Sequence, residues 1–379
     1  MIKIALITDC FYSVNGVSKT YQHFARWCQA KKITLDVFTI GEKARVTTKG
    51  SVRIIESPAV WPVKYYYDLP PFDTRIISPH FKKNFNPNQY DIFHLATPGS
   101  LGLAATILLA NSNAPKVGVF HTMLDEYIKS WTSSSLKVLP QTIKNPVADL
   151  SQIMVWQLLK WFYSKTDLLL VPSLILKNKL TGFHPRIEIF PRGVDTKIFN
   201  PKYKNPRLKE HQPIALYVGR LSTEKNLDLL VEIFKRRADV KLWLAGDGPY
   251  TAGLKSQLPN AKFFGYLTGK KLSEIYASAD FFIFPSMTDT FGNVILEAQA
   301  CGLPAIVTTQ GGPQELIKHQ KTGLIAKPNV KDFNQAINYL ITNHDKKLAM
   351  SQAAITSVQD KTWAAAFEKL IKSYENLLV

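Results

Sequence analysis

The chain has 379 residues, too long for one ordinary domain, and 46% of them are hydrophobic, enough to fill sizeable cores. Its formal charge of +18 says nothing about fold but selects anionic partners: nucleic acid, an acidic membrane leaflet or a negatively charged small substrate. No low-complexity tract or short repeat occurs, and the longest apolar runs, 101–110 and 168–176, stop well short of the ~20 residues a membrane helix needs.

The first apolar run, 4–7, is too short for a signal-peptide core, meets a charge at Asp9 and is followed by no small-residue cleavage site. Cys10, Cys28 and Cys301 lack paired metal-ligand spacing and leave an odd thiol, so the expectation is a reducing cytosol. From there, short β-branched runs alternate with helix-length periodic segments. Strands are expected at 3–8, 34–39, 52–55, 92–95, 117–121, 168–172 and 187–190. A second set follows at 214–218, 241–245, 262–264, 281–285 and 305–308. Such alternation implies βαβ units and parallel sheets covered by helices on both faces. The polar, Pro- and Lys-rich stretch 196–213 interrupts the pattern and is the best domain boundary. The final periodic segment, 363–378, places Phe367, Leu370, Ile371 and Tyr374 on one face, as a terminal helix packing on a core would.

Three loops of the second half carry chemistry. After 214–218, Gly219 is followed by Arg220 and Lys225, which bracket a helix start; a bidentate fork and a point charge there suit a diphosphate, although surface cations near helix starts are common. After 241–245, Gly246-Asp247-Gly248-Pro249 is a tight turn that lacks the third glycine and distal acid of a dinucleotide fingerprint. After 281–285 comes the most informative loop. Thr288-Asp289-Thr290-Phe291-Gly292 leads into an apolar helix for which Asn293 is the expected N-cap, its free N–H groups available to a phosphate. Asp289 lies in the loop before the helix, free to face a sugar. Glu297, eight residues on and one turn into the helix, suits ribose hydroxyls because a carboxylate is acceptor-only. Gly302-Leu303-Pro304 and Gly311-Gly312-Pro313 close turns at the same edge.

Arg220…Lys225, Gly246–Pro249 and Asp289…Glu297, in this order, resemble the second domain of retaining family 4 glycosyltransferases, whose acidic pair is usually Glu…Glu. The resemblance spans essentially the whole chain. Asp9–Val17 is similar to the family's loop after the first strand, whose backbone, here at Gly16 and Val17, lies beside the donor's sugar and phosphates. Phe120-His121-Thr122 resembles its His-Thr element near the donor sugar, and Pro191–Pro201 the lead-in to its interdomain linker. On its own, a histidine at a strand end is more often structural; the resemblance assigns His121 to the site.

The resemblance implies an α/β protein of GT-B architecture: two doubly wound Rossmann-like domains with parallel sheets facing each other across a cleft. An acceptor-side domain would span 1–194 and a nucleotide-sugar domain 195–362, with helix 363–379 crossing back. The implied activity is hexose transfer with retention from a UDP-sugar or GDP-mannose. Catalytic residues would be Asp289, His121, Arg220 and Lys225. Donor contacts would come from Gly16, Val17, Gly219, Arg220, Lys225, Gly246, Phe291, Gly292, Asn293, Val294 and Glu297. No Asp-x-Asp triplet occurs, so no metal and no cofactor is expected. Asp289 in place of Glu, within Thr288–Asn293, is similar to members that transfer sulfoquinovose, mannose or glucose to lipid-linked acceptors.

Aromatics interleave with lysines at Trp61–Tyr67, Phe81–Phe85 and Trp156–Lys165, a mixture that suits an anionic membrane surface. Trp156–Tyr163 reads equally as a core helix with a basic edge. A peripheral enzyme on the cytosolic leaflet with a lipid-linked acceptor is the leading expectation, beside the same chemistry on a soluble or polysaccharide acceptor. A basic nucleic-acid-binding protein is the reading from another class; no recognisable module supports it, and nucleic acid is not expected as a partner. Oligomeric state is open.

Overall fold

The computed structural model describes residues 2–13, 15–58, 79–136, 140–208 and 210–379, which divide into two compact units. The first comprises Met1–Pro172, Lys177–Pro191 and Phe367–Val379, the second Ser173–Leu176 and Arg192–Ala366. Trp61–Tyr67, one of the aromatic–lysine segments, lies outside the described residues.

The first unit runs β1 (Lys3–Thr8), α1 (Gly16–Lys31), β2 (Thr34–Gly41), β3 (Arg45–Lys49), β4 (Val52–Pro58), α2 (Pro79–Asn84), β5 (Ile92–Leu95), α3 (Ser100–Leu108), β6 (Lys116–Val119), α4 (Leu124–Ser135), α5 (Gln141–Tyr163), β7 (Leu168–Val171), α6 (Leu174–Lys179) and β8 (Ile187–Ile189), α6 being shared with the second unit. Its sheet has the order β3-β4-β2-β1-β5-β6-β7-β8, parallel throughout except for β3 on β4. β1, β5 and β7 are buried on both faces, which is why they read as continuous apolar runs. β3 was not foreseen. Its sequence, RVTTK, is an exposed polar edge with no hydrophobic period to detect, and only its hairpin with β4 makes it a strand.

The second unit runs β9 (Ile214–Val218), α7 (Leu227–Phe234), β10 (Lys241–Ala245), α8 (Thr251–Gln257), β11 (Lys262–Gly265), α9 (Gly269–Ser278), β12 (Phe281–Phe284), α10 (Asn293–Ala300), β13 (Ala305–Thr308), β14 (Gly323–Ala326), α11 (Val330–Thr342), α12 (His344–Thr356) and the start of α13 (Trp363–Leu378). The order is β11-β10-β9-β12-β13-β14, all parallel. β14, Gly-Leu-Ile-Ala, is too short to stand out in the sequence and is a strand because it pairs with β13. Residues 196–213 form two 3-10 turns, Pro201–Tyr203 and Pro206–Leu208, each opened by a proline.

Two aromatic expectations change. Phe81 and Phe85 are buried in a cluster with Phe38, Tyr90 and Phe93, ring centroids 4.8–6.4 Å apart, so the rings of that segment supply core while Lys82 and Lys83 are exposed. The segment Trp156–Tyr163 is divided. Leu159, Phe162 and Tyr163 are buried, while Leu158 and Trp161 of the same helix face solvent.

Candidate active site

In open parallel sheets, ligands bind at the carboxyl ends of the strands where the winding reverses, because the loops there diverge. In the second unit that point lies between β9 and β12: the chain winds from β9 to β10 and β11, then returns to β9's other side as β12. The β9 exit loop carries Gly219, Arg220 and Lys225; the β12 exit loop carries Asp289. Adjacent strands thus place residues 64 apart in sequence side by side.

Three bonds tie the loops together. Lys225 Nζ donates to both carboxylate oxygens of Asp289 at 3.0 Å. Asn226 Nδ2 donates to the Pro285 carbonyl at 3.2 Å, and Thr288 Oγ1 to the Glu224 carbonyl at 3.2 Å. Arg220 Nη1 lies 3.8 Å from Glu224 Oε1, and the Tyr217 hydroxyl donates to the Arg220 carbonyl at 2.9 Å. The four charged side chains retain only 13–21% exposure, where attraction is screened far less than at a free surface. Both cations therefore rest beside carboxylates. The sequence assigned Lys225 to phosphate and Asp289 to sugar; the structure adds that the two meet each other.

The start of α10 differs from expectation. Asn293 is the first helical residue, and Gly292, at φ 89°, is the N-cap with no side chain to satisfy the free N–H groups. That leaves them for a ligand oxygen. The loop before it is held from behind by Gly312. Its N–H donates to the Asp289 carbonyl at 2.8 Å, and a Cβ there would sit 2.0 Å from the Thr290 carbonyl oxygen, so no larger residue fits. Phe291 and Val294 pack partly buried against the core. Glu297, one turn into α10, accepts from the Tyr276 hydroxyl at 3.0 Å. Burial first, then the Glu297 charge, pushes the Tyr276 hydroxyl's pKa well above its usual value, so it stays a proton donor to that carboxylate. Gly246 ends β10 against the Gly219 backbone, its Cβ position 1.9 Å from the Gly219 carbonyl oxygen.

In the first unit the winding reverses between β1 and β5. Asp9, just past β1, is fully buried and bridges the two exits: it accepts from Thr97 Oγ1 at 2.6 Å, Ser100 Oγ at 3.2 Å and the Leu101 N–H at 2.8 Å. Burial raises its carboxyl pKa against the lowering effect of those bonds. Asn15 caps α1 through the Ser18 N–H at 2.8 Å, leaving Gly16 and Val17 as the first helical residues.

His121 lies two residues beyond β6, on a backbone kept extended by the Phe120 N–H to Leu170 carbonyl bond of 2.9 Å. Its Nε2 is 2.8 Å from the Tyr21 hydroxyl, which is 2.7 Å from His94 Nε2; His94 Nδ1 is 2.6 Å from the Tyr374 hydroxyl of α13. Tyr21, His94 and Tyr374 are fully buried. Among the described residues the Tyr374 hydroxyl bonds to His94, so its proton is satisfied only by donation to Nδ1, since a buried unpaired donor is costly. A neutral His94 would then carry its proton on Nε2 and donate to Tyr21, and Tyr21 would donate to His121 Nε2, placing the proton of a neutral His121 on Nδ1.

Two family descriptions match adjoining parts of the chain: Glycosyltransferase Family 4 over residues 14–198 and Glycosyl transferases group 1 over 200–357. The chain is 31% identical to a GDP-mannose-dependent alpha-mannosyltransferase of Corynebacterium glutamicum across 78% of its own length and 69% of the relative's. It belongs to glycosyltransferase family 4. It is also 28% identical to the sulfoquinovosyl transferase SQD2 of Arabidopsis thaliana, over 97% of this chain and 72% of that one. The sucrose-phosphate synthase of Thermosynechococcus elongatus shares the GT-B fold, with a TM-score of 0.81 at 21% identity over 100% of this chain and 99% of that chain.

The glycosyltransferase thus brings Arg220, Lys225 and Asp289 together at one switch point, with Gly292, Asn293 and Glu297 on the helix that follows. Tyr276 and the Tyr21–His94–Tyr374 relay were not anticipated. Tyr276 and Tyr374 fall on the apolar faces of their helices, where only the position of a buried partner distinguishes a polar role from packing. In ¹⁵N NMR, His121 Nε2 is expected to resonate as the unprotonated nitrogen and Nδ1 as the protonated one. Tyr374→Phe should convert this to a mixture of tautomers. A protonated Nε2 in the unmodified enzyme would mean that the relay runs the other way.

Proposed function

We propose that this enzyme moves a hexose from a nucleotide-diphosphate sugar, with retention at the anomeric carbon, to a lipid-linked acceptor at the cytosolic face of a membrane. The observation that carries the donor assignment is the Lys225–Asp289 pair, with Arg220 beside it, at the β9/β12 switch point. A diphosphate brings two or more negative charges to a place where two largely buried cations rest beside carboxylates. It displaces Asp289 from Lys225 and turns that carboxylate toward the sugar hydroxyls.

In this reading Arg220, Lys225 and the free N–H groups at Gly292–Val294 stabilise the leaving diphosphate, so that no metal or other cofactor is needed. Fixed donors aimed at developing charge supply the largest catalytic effect available to such a site. Glu297, oriented by Tyr276, accepts from the ribose. Gly219 and Gly246 let the nucleotide approach the backbone, while Gly16 and Val17 supply N–H groups near the phosphates. His121, protonated on Nδ1, donates to a sugar oxygen. The bond from the anomeric carbon to the phosphate oxygen breaks as the bond to the acceptor oxygen forms on the same face. The acceptor's hydroxyl proton passes to that phosphate oxygen. The name of the GDP-mannose-dependent relative supports a nucleotide-sugar donor.

The lipid acceptor rests on the surface of α5. Ile143, Val147, Leu150, Met154, Leu158 and Trp161 recur at three- and four-residue spacing, and all are exposed, Met154 at 64%. Trp131 of α4 is exposed at 58%. No described helix is long and apolar enough to cross a membrane. An exposed apolar stripe on a chain of +18 charge suits insertion among anionic headgroups.

Lys225→Ala is expected to lower kcat/KM about 100-fold, the loss of ~3 kcal/mol of charge stabilisation, in assays of sugar transfer or donor hydrolysis. Near-normal turnover in a folded variant would remove the clamp. The protein is expected to co-sediment with phosphatidylglycerol-containing liposomes at low salt, and Leu150→Asp with Met154→Asp to abolish this. Absence of binding would point instead to a soluble acceptor.

A further inference from the structure

Glu224 lies between Arg220 and Lys225 in the β9 exit loop and has no part in the chemistry proposed above. It sits in a single 3-10 turn, Thr223–Lys225, closed by Asn226 in the left-handed region at φ 55°. Three contacts fix it. Ser222 Oγ, on a residue only 1% exposed, donates to Glu224 Oε1. Arg220 Nη1 lies 3.8 Å from the same oxygen, and the Glu224 carbonyl accepts from Thr288 Oγ1 at 3.2 Å. The turn is further tied to the β12 exit by the Asn226 Nδ2 bond to the Pro285 carbonyl.

The two carboxylates beside the cations are therefore held differently. Asp289 is anchored through its backbone by the Gly312 N–H, while among the described residues its side-chain oxygens accept from Lys225 alone. That carboxylate can leave the lysine while its loop stays in place. Glu224 is anchored at backbone and side chain together, and turning its carboxylate away would strand the buried Ser222 hydroxyl, which is unfavourable. A diphosphate that takes over Lys225 thus meets a site from which one negative charge has withdrawn and in which the other remains.

The charge that remains acts unequally on donor and product. At 15% exposure the Glu224 side chain is weakly screened, and it cancels one of the two positive charges offered by Arg220 and Lys225. In the intact donor the terminal phosphate is an ester of the sugar. Cleavage frees that phosphate oxygen, whose proton is lost at neutral pH because a second phosphate ionisation has a pKa of about 6. The product therefore carries a negative charge that the donor lacks, at the end nearest the clamp. We infer that Glu224 is a fixed counter-charge that opposes this added charge and so speeds release of the nucleoside diphosphate. It is a positioning residue, acting through Arg220 and Lys225, and this role rests on the clamp reading proposed above.

The test titrates the full-length protein calorimetrically with UDP and GDP and measures KM for UDP-glucose and GDP-mannose in donor hydrolysis. Glu224→Gln keeps the side chain's shape and an acceptor for Ser222 but removes the charge. It is expected to bind the diphosphate about tenfold more tightly than the parent, with a smaller change in KM for the intact donor. Glu224→Met, neutral and of similar length, should shift the balance the same way. A merely structural role predicts the opposite, weaker binding of donor and product together. Folded variants that bind the diphosphate no more tightly than the parent, or that gain equally for donor and product, overturn the assignment. Lys225→Ala in the same titration separates this from the reading beneath it. If that variant binds diphosphate as the parent does, the clamp fails and the role of Glu224 with it. If Lys225→Ala weakens binding while neither Glu224 variant strengthens it, the clamp stands and the counter-charge falls.

Discussion

The Lys225–Asp289 contact is the interaction on which the proposed donor site depends. It exists because β9 and β12 are neighbours although β10 and β11 intervene in sequence, so two loops that never meet locally end at one edge. Each partner's charge would be costly without the other at this degree of burial. Hydrogen bonds to charged groups are worth about 1.5–3 kcal/mol each, enough to hold the loops in register yet small enough for a diphosphate to outcompete. The resting pair keeps an ammonium and a carboxylate positioned in advance; in the function proposed above, the donor would exchange one partner for another without having to order either loop. Gly312, flush against the Asp289 carbonyl, keeps the loop from relaxing away.

The first unit also joins strand exits through buried polar groups. Asp9 joins the exits of β1 and β5, and the Tyr374–His94–Tyr21 chain of hydrogen bonds fixes which nitrogen of His121 carries its proton. Two tyrosines and a histidine buried together are stable only when every proton has an acceptor, so the orientation of one terminal hydroxyl is transmitted to a side chain three links away. The direction of the chain follows from Tyr374, which lies on α13, far in sequence from the histidine it controls.

Much of this was legible in the sequence because parallel strands buried on both faces are near-continuous apolar runs, and β1, β5, β9, β10 and β13 were read with the bounds they have. The loops after β9 and β12 were recognisable from glycines and charges beside those runs. What escaped depends on tertiary position. β3 is polar and becomes a strand only by pairing; Phe81 and Phe85 are aromatic beside lysine whether they face lipid or core; Asn293 has an N-cap's chemistry, but Gly292's left-handed φ takes the position. The Lys225–Asp289 contact, Tyr276 and the histidine relay join elements distant in sequence, and no spacing rule encodes such pairs.

The central claim is that the Lys225–Asp289 pair is the resting form of a diphosphate clamp. A crystal structure with a nucleoside diphosphate bound tests it most directly. A phosphate oxygen is expected within hydrogen-bond distance of Lys225 Nζ and Arg220, with Asp289 released. A diphosphate bound elsewhere, with the ion pair intact, would contradict it.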